Sequence, residues 1–336
     1  MMNVRYLLGR LLELDYRSML GTLAALHRKT GKSRLWLLGD MVFCGLRYGA
    51  GYKDYMLCEF YELSPAQRAT YVTRGVNNRI VRLCNDPAWY HCLEKKTEFN
   101  RLYSSFVRRD WLDVEQCSYD EFAAFMDGRE LIISKPAAAT CGQGIEKLHK
   151  GDFSSLGELY DHLKTGGAGL IEEVIAQHPD MARLYPGSVN TYRIVTITRG
   201  GVSGVVYAYI RMGSGGRFVD NFNSGGMTAP VDVETGVIAF PAVDKNGGCY
   251  QVHPATGTPI PGYPLPCWQE SVEMCLEAAQ VVPGLGYVGW DVAVSPDGPQ
   301  LIEGNHFPGH DILQMPPHVP DKVGMLPRFR EFLPEL

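Results

Sequence analysis

Asp291 and Glu303 lie on either side of a turn signal. In Tyr287-Val-Gly-Trp-Asp-Val-Ala-Val-Ser-Pro-Asp-Gly-Pro-Gln-Leu-Ile-Glu-Gly-Asn305, apolar and polar residues alternate on both sides of a Pro-Asp-Gly turn, the pattern of a β-hairpin. Centring the turn on Asp297 places Asp291 opposite Glu303, with Val288, Trp290, Val292 and Ile302 on the other face. Asn305 returns to the acidic face two residues later. Two like charges paired directly across a hairpin repel. Two carboxylates and an amide oxygen on one rigid element suit Mg²⁺, which prefers oxygen ligands and leaves room for substrate phosphates. The hairpin therefore implies a phosphate-bearing co-substrate.

A second segment supplies positive charge. In Glu130-Leu-Ile-Ile-Ser-Lys-Pro-Ala-Ala-Ala-Thr-Cys-Gly-Gln-Gly-Ile-Glu-Lys-Leu148, an apolar strand delivers Lys135 and a loop of small residues leads to another short strand. Small side chains let backbone N–H groups approach phosphate oxygens, and the lysine adds charge. The Walker pattern is absent, and Gly142-x-Gly144 lacks the third glycine and following helix of a dinucleotide fingerprint. No G-x-S-x-G elbow or H-E-x-x-H helix points to covalent or zinc catalysis. His306 and His310 have helical ligand spacing, but Pro308-Gly309 between them breaks the helix a zinc pair would need, which leaves an acceptor-contacting or packing role. Cys141 in the small-residue loop is assigned no catalytic role.

The elements that must position these groups change along the chain. Apolar spacing over 3–30 predicts an amphipathic helix stopped at Gly31, and Ser64-Pro65 predicts another helix running through Leu83. Helices dominate to about residue 126. Strands are expected at 130–135, 168–173, 190–198, 202–211, 287–294 and 299–303, so the C-terminal two-thirds reads α+β. With 336 residues, 45% of them hydrophobic, the chain has material for more than one domain, and no internal repeat is present. A net charge of −5 argues against a dedicated nucleic-acid binder. Nine cysteines without a C-x-x-C pair suggest reduced thiols, a cytoplasmic setting and no disulfide framework. The apolar stretch 35–51 is interrupted by Asp40 and Arg47 and is too short to span a bilayer, and the N-terminus does not read as a secretory signal. Residues 1–53 nevertheless hold nine Lys/Arg against three acids, which permits weak peripheral contact with an anionic membrane or polymer.

Taken together, the ordered motifs from about 50 to 315 resemble the ATP-grasp superfamily, and within it the sugar-transfer-associated branch. Lys95-Lys96-Thr-Glu-Phe-Asn100 resembles the first nucleotide-lysine motif, with Lys96 preferred, and Ile133-Ser-Lys-Pro136 the second. Ala137 to Gly144 resembles the loop closing over phosphates, which implies Ala139, Thr140, Gly142 and Gly144 as contacts. Gly169-Leu-Ile-Glu-Glu-Val-Ile175 resembles the adenine-gripping hinge, implying Glu172, Glu173, Val174 and Ile175. Asp180 is the nearest acid for the ribose, with Gln177 and His178 as alternatives. Ser188 to Val195 resembles the strand that brings an arginine, Arg193, near the γ-phosphate, and Asp291, Glu303 and Asn305 match the metal triad. Val219 to Gly226 resembles a loop near the acceptor, with Arg211 on the strand before it.

The resemblance implies two α+β lobes sandwiching ATP after a helical N-terminal region. The expected division is 1–94 helical, 95–172 small lobe with phosphate loop and 173–336 large lobe with the metal hairpin. It implies ATP with one or two Mg²⁺, and a ligase joining a carboxylate to an amine through an acyl phosphate. Arg193, Arg211 and Lys135 are then the catalytic candidates. The resemblance implies an acceptor that is an amino acid, an amino sugar or a sugar- or glycan-linked molecule. The rival readings are a kinase acting on a hydroxyl and a non-catalytic nucleotide-binding scaffold of glycan machinery. The family usually opens with a small α/β substrate domain, whereas this chain starts helical, so no acceptor contact carries over from that region.

Overall fold

The structure is a computed structural model that describes residues 15–136, 144–215, 220, 222 and 225–336. They divide into two compact units, Met1–Ile80 with Gly309–Leu336, and Val81–Pro308.

In the first unit, Asp15 caps the helix Tyr16–Thr30 by accepting from Ser18 N at 3.0 Å, and Gly31 ends it in the left-handed conformation at φ 70°. Ser33 and Gly49 bound the helix Arg34–Tyr48 in the same way. Leu23, Leu26, Leu37, Met41, Cys44, Tyr55 and Phe60 form the core of this unit. The helix expected from Ser64-Pro65 to Leu83 is two, Pro65–Arg68 and Arg74–Cys84. Between them the backbone of Val72 turns to the Gln314 amide, donating to Oε1 and accepting from Nε2, each at 2.8 Å. A side chain distant in sequence thus takes over bonds that a continuous helix would have made.

The second unit holds two antiparallel sheets. Trp111–Asp113 (β1), Leu131–Pro136 (β2), Glu146–His149 (β3) and Ala168–Glu173 (β4) form a sheet of order β1-β4-β2-β3. Helices Tyr119–Phe125 and Leu156–Thr165 cover one face, where Phe122, Leu159 and Leu163 join Ile132 and Ile171 in a core. By register the opposite face carries Ile133, Lys135, Leu170 and Glu172. The second sheet contains Thr191–Arg199 (β5), Val202–Met212 (β6), Met227–Val231 (β7), Ala242–Asp244 (β8), Cys249–Tyr250 (β9), Tyr287–Ser295 (β10) and Gly298–Asn305 (β11). Its order is β11-β10-β5-β6-β7-β8-β9. These are the two α+β lobes, and the expected strands appear within about two residues of their expected ends. Missing from the sequence reading were β1 and β7 to β9, of which β1, β8 and β9 have only two or three residues, too few for alternation to register.

The hairpin β10–β11 pairs Asp291 with Glu303 as expected, but by a different path. Ser295 faces Gly298 across a two-residue turn, and a bulge beyond Val292–Leu301 restores the acidic register. Ile302 is therefore the extra residue of a bulge, half-buried, and is not aligned with Val292 on the apolar face.

Candidate active site

Asp291 of the acidic pair is built into the most buried strand of the large sheet, and Glu303 sits on the edge strand β11, open to solvent. Every residue of β10 is buried, with Trp290 and Val292 in the core and Asp291 on the other face. Asn85 holds both ends of the hairpin by accepting from Tyr287 N at 2.7 Å and donating to the carbonyls of Tyr287 and His306 at 2.8 Å each. Asp291 lies between β11 and β5, opposite Glu303 on one side and Arg193 on the other. Arg193 Nη2 donates to Asp291 Oδ2 at 2.9 Å and its Nε to Oδ1. Arg211 Nη2 also donates to Oδ2, while its Nε reaches Thr191 Oγ1 at 3.1 Å. Thr191 in turn donates to Asp220, whose Oδ2 lies 3.9 Å from Arg211 Nε.

A glycine makes this packing possible. At Gly289 a Cβ would sit 3.0 Å from Arg193 Cδ and 3.3 Å from Pro308, so the bare backbone leaves the arginine its path beside Asp291.

The two acids are driven apart in pKa. Desolvation would raise Asp291, but Arg193 and Arg211 outweigh it and hold the carboxylate well below the usual range. Glu303 moves up, through desolvation and then the charge of Asp291 and a hydrogen bond with it, although one side of Glu303 stays open to solvent. Asn305 shares this face by register, and its Oδ1 accepts from Phe307 N at 2.8 Å.

The small sheet presents the opposite charge. Lys135 Nζ lies 2.5 Å from Glu172 Oε2, and Glu172 also accepts from Arg109 Nη2 at 2.8 Å and Asn100 Nδ2 at 3.1 Å. Glu172 is 3% exposed; burial alone would raise its pKa, yet Arg109 and Lys135 pull it well below the carboxylate range. Arg109 then reaches across to the carbonyl of Leu301 at 2.6 Å, tying the small sheet to β11. Lys96 opens the helix Lys96–Leu102 and is half-buried, whereas Lys95 is exposed. Its pKa is lowered by desolvation and by Lys135, against the pull of Glu303 and Glu172, so both sheets act on one ammonium. Beside it β11 carries Gly304, where a Cβ would come within 2.8 Å of Leu93 in the preceding helix His91–Glu94, 3.2 Å of Trp290 and 3.4 Å of Phe99 in the Lys96 helix.

Other expected residues occupy separate places. Glu173, Val174 and Ile175 line a cavity of about 140 Å³ with Arg109, Pro299 and Gln300. Asp180 sits in the first turn of the helix Pro179–Leu184, 3.7 Å from Arg183, while His178 caps that turn and Gln177 bonds to Asn190 and Tyr185. Gly144 is left-handed at φ 69° beside Pro136; Ala139, Thr140 and Gly142 lie outside the described residues. His306 stacks on Tyr90 and pairs with Glu94, and His310 pairs with Asp54 at 3.2 Å. Arg109, Asn100, Asn85 and Thr191 escaped the sequence reading, because a buried partner far along the chain leaves no local pattern.

Arranged this way, the site offers Lys135 on the small sheet and Lys96 on a helix, and the acids Asp291 and Glu303 with Arg193 and Arg211 on the large sheet. Two carboxylates with an amide oxygen fit a hard divalent ion, and Lys96 with Lys135 fit phosphate oxygens. Among the described residues no helix is long and apolar enough to cross a membrane, and none of the eight cysteines is in a disulfide.

Residues 68–330 match the family described as sugar-transfer associated ATP-grasp. No curated protein matches the chain. Solved structures similar to it include the ATP-grasp ligase PsnB complexed with a minimal precursor, with 13% identity, TM-score 0.44, and coverage of 78% of this chain and 69% of that one. D-alanyl-alanine synthetase A from Vibrio cholerae has 14% identity, TM-score 0.43, and coverage of 74% and 63%. The ADP complex of N5-carboxyaminoimidazole ribonucleotide synthetase has 8% identity, TM-score 0.41, and coverage of 65% and 46%. The chain thus spans less than two-thirds of the latter two.

Proposed function

The chain belongs to the sugar-transfer associated ATP-grasp family, and from that premise we propose that it is an ATP-dependent ligase joining a carboxylate to an amine. The observation that carries the reading is the facing pair Asp291 and Glu303, with Lys96 Nζ donating at 3.3 Å to the carbonyl of Pro136, the residue after Lys135. In this proposal Lys96 and Lys135 hold the phosphates of ATP, and backbone groups of Glu173 to Ile175 hold adenine. Asp180 is proposed for the ribose. Asp291, Glu303 and Asn305 would hold Mg²⁺, which supplies charge neutralisation at the phosphates.

The substrate carboxylate oxygen attacks the γ-phosphorus and the bond to the β-phosphate oxygen breaks, releasing ADP. The amine nitrogen then attacks the acyl phosphate carbonyl, loses a proton and expels phosphate, leaving an amide. Arg193 and Arg211, now paired with Asp291, are the donors for the transferring phosphoryl group and the later oxyanion. Substrates linked to carbohydrate fit the family's description, and free cysteines fit a reducing compartment such as the cytoplasm.

Hydroxylamine trapping tests the chemistry. With ATP, Mg²⁺ and a panel of carboxylates including uronic and amino acids, a ligase yields a hydroxamate with ADP and phosphate, and Glu303→Gln loses it. Stable phosphate on a hydroxyl product would instead establish a kinase.

A further inference from the structure

A surface helix normally packs one apolar face, but Arg34–Tyr48 has two. Leu37, Met41 and Cys44 follow helical spacing into the core of the helical unit. On the other side Leu35, Val42, Phe43 and Leu46 form a second stripe, with Trp36 beside it, at 84, 53, 50, 56 and 47% exposure. Seven of the fifteen large hydrophobic residues exposed among the described residues fall between Tyr16 and Leu46, while the other eight are scattered from Leu83 to Val323. The concentration makes this a patch, not ordinary surface.

Charge says what covers it. Residues 15–53 carry seven Lys/Arg and two acids; Lys29 and Lys32 pair with Glu59 and Glu62, and Arg34 and Arg47 are exposed. Asp40 is neutralised by both Arg68 guanidinium nitrogens at 2.7 Å, and Asp15 is used as a helix cap. On the helical projection Arg34 and Arg47 flank the apolar stripe on either side, and Lys32 Nζ stands 5.1 Å from the Trp36 ring centre. Two copies meeting through this face would bring like charge onto like charge. At 15 residues the helix is too short to span a bilayer. Trp, Phe and Leu bordered by arginines are the residue types of a helix lying in a membrane interface.

We propose that this face docks the protein on a bilayer bearing anionic head groups. Leu35, Trp36, Val42, Phe43 and Leu46 enter the boundary between head groups and acyl chains, and Arg34 and Arg47 pair with lipid phosphates. The inference stands apart from the ligase reading, since neither its residues nor its test involves ATP.

Flotation of the full-length protein with vesicles tests it, using phosphatidylcholine alone and phosphatidylcholine mixed with phosphatidylglycerol. The wild type binds the anionic vesicles, and added salt weakens the binding. Leu35→Glu/Phe43→Glu lowers partitioning at least about tenfold. Arg34→Gln/Arg47→Gln removes the preference for anionic vesicles by about tenfold, and it carries the test if the first variant fails to fold by circular dichroism. Absence of wild-type binding overturns the proposal, as does wild-type binding by both variants. So does a wild-type dimer that the first variant dissolves, with no vesicle binding.

Discussion

Glu172 and Glu303 are the same residue type set among charged neighbours in one compact unit, yet their surroundings drive them in opposite directions. Glu172 is buried with two cations, Arg109 and Lys135, and one amide donor, so its charge is more than matched. Glu303 faces another carboxylate whose own arginines already engage both of its oxygens. A carboxylate saturated with internal cations is a fixture that aims Lys135. One left facing a like charge needs a cation from outside. The difference separates a residue that builds the site from one that the ligand completes.

That contrast breaks most readily at Glu172. Its replacement by alanine leaves Lys135 and Arg109 buried without their counter-charge, and urea unfolding should show a loss of about 3–5 kcal/mol. Glu303→Gln should cost about 10²- to 10³-fold in turnover under saturating ATP, measured by phosphate release, without that loss of stability. Gly304→Ala should cost about 1–3 kcal/mol by crowding Leu93 and Trp290, and it should raise the KM for ATP through displaced Lys96.

Glu172 has a lowered folded pKa, so its stabilisation is present above the ordinary carboxylate value and lost as pH falls toward the folded one. Glu303 has a raised folded pKa, so its contribution to stability declines as pH climbs from the ordinary value through the folded one. At neutral pH, Glu303→Gln should therefore melt higher than the wild type and Glu172→Gln lower. Since a ligand carboxylate must shed its proton, Mg²⁺ affinity should fall by about tenfold per pH unit below the raised Glu303 value.

Much of the acidic hairpin was legible because strand register is arithmetic: a turn signal fixes which residues face each other. The bulge at Ile302 was invisible, and it left the Asp291–Glu303 register intact because it offset the shorter turn. The strand bearing Lys135 was legible from its apolar run, but its partner was not. Nothing local marks Arg109 as the residue that joins Glu172 to the Leu301 carbonyl. The break at Val72 was hidden for the same reason, since Gln314 supplies it from the far end of the chain. Patterns of period two or 3.6 report faces, whereas buried ion pairs and side chain-to-backbone bridges are settled only by packing.

The most direct measurement is calorimetry of a non-hydrolysable ATP analogue with Mg²⁺, run in two buffers of different ionisation enthalpy near the raised Glu303 value. The wild type should release a proton on binding, and Asp291→Asn/Glu303→Gln should lose both the proton and the metal dependence. Full metal-dependent affinity in that double variant would contradict a metal site on this pair.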